Sequence, residues 1–137
     1  MTELDQCVAN AFASEGKQED VNKLYTCLLR TSLYVPISQE KPEDPEEAFT
    51  PLFMEVGENY FLMAFDHLTR LEAWAGDLFQ QMDYVILTGR DLVRSLGNRV
   101  ILALNYDTQY YKEFAVDEIA RLKTVVAKLD EFAKKSG

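Results

Sequence analysis

Histidine is almost missing from this sequence: His67 stands alone in 137 residues. A histidine-based metal site would need several carboxylates at matching distance, so the expected place of His67 is a surface helix start beside Asp66. Cysteine is scarce too. Cys7 and Cys27 lie too far apart, with no histidine partners nearby, for a zinc site. Each falls on an apolar helix face, so two buried, reduced thiols are expected, with a disulfide or redox pair as the lesser alternative. No apolar run approaches the ~20 residues that span a bilayer. The first residues, Met-Thr-Glu-Leu-Asp-Gln, lack the basic region and apolar core of a signal peptide, and a cytoplasmic location is expected.

Positive charge is in deficit. Lys and Arg number 14 against 23 Asp and Glu, a net charge of −9. Such a surface repels nucleic acid and anionic membrane, and no basic stripe offsets it. Phosphate-loop signatures are absent: Thr88-Gly-Arg-Asp91 has neither the glycine pattern nor the Lys-Ser/Thr pair. No serine or cysteine stands in a nucleophile-elbow context, and no carboxylate pair has spacing that marks acid–base work. Neither an enzymatic activity nor a cofactor is expected.

What is present is apolar and well patterned. Hydrophobic residues make up 47% of the chain, enough for one domain with a sizeable core. The organising stretch runs from Tyr84 to Asn105: a β-branched run to Thr88, a short amphipathic piece from Gly89, Gly97-Asn98, and a second apolar run. It reads as strand–helix–strand, with strands too apolar to have one wet face. Gly89 is expected to serve a tight turn, and Asp91 suits the first helical turn.

The other segments read as cover. Leu4, Cys7, Val8, Ala11 and Phe12 share one helix face, with Thr2 and Asp5 as a capping pair and Gly16 as a stop. Val21, Leu24, Tyr25, Leu28 and Leu29 repeat the spacing. The spacings predict helices over 2–15 and 18–30. Leu33–Ile37 is a strand that Pro36 assigns to an edge or a strand end. The Pro- and Glu-rich stretch 38–48 reads as a solvated loop, with an acidic docking loop as the lesser reading. Pro51–Val56 and Asn59–Phe65 flank Gly57-Glu58 as a hairpin covered on both faces. A helix follows from His67 to Ala75, with Asp66 as N-cap and Gly76 as stop. Glu113–Val116 is a short strand. Asp117 caps a last helix to about Lys134, with Val116, Ile119, Leu122, Val126 and Leu129 as its apolar stripe.

The fold class is α/β (mixed α+β): a single domain with a mixed sheet of about five to six strands packed with helices, an N-terminal helical pair and a long C-terminal helix. Function is expected at the tyrosine-rich loop 105–111. Asn105, Tyr106, Tyr110 and Tyr111 lie beyond the C-terminal end of a strand, the edge where open α/β sheets bind ligands, and Arg90 reaches that edge from the neighbouring turn. Tyrosines are good interface anchors, though they also serve to pack over a sheet end. The expected partner is therefore a protein. The competing reading is a small-molecule or enzymatic site around Thr88, Arg90, Asn105 and Tyr106. An interaction surface is broad with exposed tyrosines, whereas a ligand site is concave with converging polar groups. Homodimerisation through the N-terminal hairpin or the last helix is a third reading.

In order along the chain stand Leu33-Tyr-Val-Pro-Ile37, the hairpin running into Leu71-Glu-Ala-Trp74, Val85-Ile-Leu-Thr-Gly-Arg-Asp-Leu92, Leu102-Ala-Leu-Asn105 and Glu113-Phe-Ala-Val-Asp-Glu-Ile119. Together, over about residues 20–125, they resemble the SseB N-terminal-domain family, with residues 1–19 as an extra helix. The resemblance implies helices on a mixed sheet and no catalytic residues to carry over. It also implies a bacterial source, because the family name belongs to a protein of enhanced serine sensitivity and to a type III secretion translocon protein. Family members often follow the strand-ending Asn with Pro-Gly, where this chain has Tyr106-Asp107. Longer members carry a second, C-terminal domain, whose functions do not transfer.

Overall fold

The computed structural model describes residues 1–39 and 49–136. Helices α1 (Glu3–Ala13) and α2 (Gln18–Arg30) form the N-terminal pair. The expected capping box is present: Thr2 Oγ1 accepts from the Asp5 N–H, and the Asp5 carboxylate accepts from the Thr2 N–H. Then come β1 (Ser32–Ser38), β2 (Thr50–Pro51), β3 (Phe53–Val56), β4 (Asn59–Ala64), α3 (Leu68–Ala75), a 3₁₀ helix (Gly76–Gln81), β5 (Asp83–Thr88), α4 (Gly89–Ser95), β6 (Val100–Leu104), β7 (Lys112–Phe114) and α5 (Val116–Ser136). The acidic stretch 38–48 begins at the end of β1, and residues 40–48 lie outside the described residues.

The mixed α/β class is as expected, but its strands divide into two sheets, ordered β2-β1-β5 and β3-β4-β6-β7. One bridge joins them: Tyr34 and Phe65 exchange backbone hydrogen bonds of 2.7 and 3.0 Å. The strand–helix–strand unit therefore spans the two sheets. β5 pairs antiparallel with β1, and β6 pairs parallel with β4.

Three strand expectations change. β1 is central, in spite of Pro36. The N–H of Tyr34 points away from β5, so Pro36, two residues on, turns its missing donor the same way and costs no β5 bond. β5 is the edge, and it has a wet face: Ile86 is 56% exposed. β3, expected to be covered, is exposed along its whole length. β6 meets the expectation, with Val100, Leu102, Ala103 and Leu104 buried.

The two sheet faces carry two cores. Leu62, Ala64, Leu102, Leu104 and Phe114 point to the larger one, under α1, α2, α4 and α5. Ile119, Leu122 and Val126 anchor α5 there, while Val116 and Leu129 of its stripe are exposed. Asp117 lies in the first turn of α5 and pairs with Arg121 instead of capping. Cys7 and Cys27 are free thiols; Cys27 is buried in this core as expected, whereas Cys7 is half-buried against it, and burial together with neighbouring Cys27 raises the pKa of Cys7. On the opposite face Met63, Phe65, Leu71 and Ala103 form a smaller core with Trp74, Phe79 and Tyr84, roofed among the described residues by α3 and the 3₁₀ helix. No described helix is long and apolar enough to cross a membrane.

Candidate functional site

The smaller core runs out before its sheet face does. α3 ends at Gly76, whose φ of 57° lies in the region that favours glycine. Beyond Trp74 no described helix covers the β3–β4 hairpin. Alternation puts Met54 and Val56 on one face of β3, beside Phe61 and Met63 of β4. From the other side the loop after β6 brings in Tyr106 and Tyr111. These six residues, with Trp74 and Glu113, line a groove of about 250 Å³. Tyr106 and Tyr111 meet edge to face, ring centres 5.2 Å apart at 87°, a favoured aromatic geometry. The Tyr111 hydroxyl donates to Glu113, and burial with that carboxylate raises its pKa, so the hydroxyl stays a donor.

Asn105 shapes the loop from beneath. It is fully buried with φ 54°, a left-handed conformation that asparagine tolerates. Its N–H donates to the Ala64 carbonyl (2.8 Å), and its Oδ1 accepts from the Asp66 N–H (3.0 Å). Thr108 Oγ1 donates to its carbonyl (2.8 Å). Asn105 is thus a positioning residue whose side chain never reaches the groove surface. Replacing it with alanine removes a buried acceptor and strains the backbone. A loss of about 2 kcal/mol is expected in chemical denaturation, with Asn105→Gly recovering the strain component alone.

The remaining expected site residues lie elsewhere. Tyr110 faces away from the groove, with Arg70 5.8 Å above its ring. Arg90 does not reach the loop. It pairs with Asp130 on α5, where Arg94 and then Arg90 lower the Asp130 carboxyl to about 2. Arg90 and Thr88 line a separate hollow of about 410 Å³ with Thr26, Leu29, Arg30, Val125 and Leu129. The set Thr88, Arg90, Asn105 and Tyr106 is therefore not brought together, because β5 and β6 end in different sheets.

Sequence reasoning missed Trp74, Met54, Val56 and Phe61 as groove walls. It also missed a buried ionic cluster beneath the loop. Arg70 grips both oxygens of Asp5 at 2.7 Å and one of Asp66 at 2.7 Å, and Thr2 Oγ1 donates to Asp66 at 2.8 Å. Asp66 was expected to cap α3, but His67 is the N-cap residue and makes no side-chain cap bond; it is exposed, as foreseen.

Fold and site together define a small, single mixed α/β domain in which the described residues leave one sheet face partly bare and rim it with aromatic side chains. The chain belongs to the SseB protein N-terminal domain family, which matches residues 4–121. The match takes in α1, which the sequence reading had left outside the shared region. No curated protein and no solved structure matches the chain.

Proposed function

We propose that this SseB-type domain is a non-enzymatic protein-interaction module of the bacterial cytoplasm, and that it holds its partner in the groove between the β3–β4 hairpin and the loop after β6. The observation that carries the reading is the composition of this bare face. Met54, Val56, Phe61, Trp74, Tyr106 and Tyr111 supply aromatic and methionine surface of the kind enriched at interface centres. Of the polar groups present, Glu113 and the Tyr111 hydroxyl pair with each other instead of converging on a ligand. That pattern favours an interface over a small-molecule site. A secretion- or stress-linked role rests on the family name alone.

The test is capture from the native cytoplasm by the wild-type protein and two folded variants. Tyr106→Ala/Tyr111→Ala is expected to lose its partner, since two interface anchors at about 2 kcal/mol or more each weaken binding several-hundred-fold. Tyr110→Ala, on the Arg70 side, keeps it. Equal capture by both variants would remove the groove from the reading.

A further inference from the structure

Resting on that reading, we propose that the partner binds as an extended segment that adds a fifth strand to the outer edge of β3, with apolar side chains on the groove face and a lysine or arginine opposite Glu55. The sheet order β3-β4-β6-β7 leaves β3 at an edge, and no described strand pairs with its outer side. The hairpin register decides which groups that edge offers. Gly57, with φ 64°, takes the first central position of a two-residue turn between Val56 and Asn59, as in a type II′ turn. The closing pair Val56–Asn59 is hydrogen-bonded, and so is Met54–Phe61 two residues on. The N–H and C=O groups of Phe53 and Glu55 therefore point outward. An incoming strand finds a row of backbone donors and acceptors there.

The side chains select the occupant. Met54 and Val56 stand on the groove face of the edge, and Val56 is 62% exposed. A paired strand sets every second side chain beside them, over Trp74, Tyr106 and Tyr111. On the other face stands Glu55, and opposite charges across a strand pair are favourable. Negative charge stands on the edge and in the groove: Glu55 lies on β3 itself, Glu113 is the one charged residue in the lining among the described residues, and the whole chain carries −9. An acidic segment is repelled and a basic one attracted.

The probe is a displayed library of random twelve-residue peptides, selected on the full chain. Enrichment is expected for peptides with apolar residues at every second position and Lys or Arg between them. In an amide exchange measurement with an enriched peptide, the Phe53 and Glu55 amides slow at least tenfold. Glu55→Pro removes one outward donor without touching the β4 ladder and weakens binding at least tenfold. Val56→Arg, at an exposed position that leaves the core intact, does the same. Peptides that bind the groove with apolar residues at helical spacing, or whose binding ignores Glu55→Pro, overturn strand addition and leave the groove reading standing. A selection yielding no groove-dependent peptide, while Tyr106→Ala/Tyr111→Ala still loses its native partner, overturns the extended occupant alone. Loss of neither peptide nor partner in that double variant overturns both.

Discussion

Gly89→Ala lowers stability by about 3 kcal/mol or more, a drop of roughly 10 °C in Tm for a domain of this size. The cause is a crossing of backbones. A β-carbon at Gly89 would lie 1.9 Å from the Leu28 carbonyl oxygen and 2.7 Å from its carbon. Neither atom can swing aside as a side-chain tip could. The contact is fixed from both ends, because the Gly89 N–H donates to the Thr31 carbonyl at 2.9 Å and Leu28 is fully buried. The sequence reading gave Gly89 a turn, but its φ is not among the positive ones. What it permits is the seating of α4 against the last turn of α2. Gly97→Ala is the matched control: a β-carbon there meets nothing within 4 Å. It is expected to stay within about 0.5 kcal/mol of wild type. Thermal melts of the two variants decide the matter, and equal melting temperatures would mean that the helices do not approach so closely.

Arg70→Met costs about 3–5 kcal/mol at neutral pH, since it leaves the buried Asp5 carboxylate and its neighbour Asp66 without their cation. The loss has a pH signature. Burial alone would raise the Asp5 pKa, but Arg70, the Thr2 N–H and the Thr2 hydroxyl outweigh it and hold the carboxyl below its ordinary 3.8. A depressed carboxyl contributes stability that is complete above the ordinary value and is lost as pH falls through the folded-state value. Without Arg70 only the Thr2 groups still oppose burial, so the folded pKa rises and the variant loses less stability in acid than the wild type does. The gap between wild type and variant is therefore widest near neutrality and closes toward about pH 4. Urea denaturation across that range measures it. A gap that ignores pH would assign the loss to packing. Because Asp5 sits on α1 and Arg70 on α3, this cluster also ties the N-terminal helix to the element that roofs the smaller core.

Local pattern made the helices readable. Period 3.6 marked α1, α2 and α5, and the Thr2–Asp5 box marked a start to the residue. The hairpin was legible from Gly57-Glu58, and β6 from its unbroken apolar run. Pairing between distant strands was not. Nothing in Tyr84–Thr88 tells that this strand leaves β6 for β1, since an apolar run serves a half-exposed edge as readily as a covered strand. Pro36 pointed to an edge or a strand end because the rule concerns a missing donor, whereas the decisive fact is which way that donor would face. At the site, Tyr106 and Tyr111 were foreseen from their place after a strand. Their neighbours Trp74 and Met54 come from 32 and more residues earlier, and only the parallel pairing of β4 with β6 brings them together. The ionic cluster was hidden for a related reason. Asp5 read as a capping partner and Asp66 as an N-cap, and nothing joins either to Arg70 until α1 is laid over the start of α3.

The central claim is that the bare groove binds another protein. A photo-cross-linking residue placed at Val56, on the groove rim, tests it most directly in the native cell, with the same residue at exposed Thr124 on α5 as control. A discrete protein adduct from position 56, missing from position 124 and lost with Tyr106→Ala/Tyr111→Ala, is the predicted result. The same adducts from both positions, or none from position 56 while the protein still captures its partner, would contradict it.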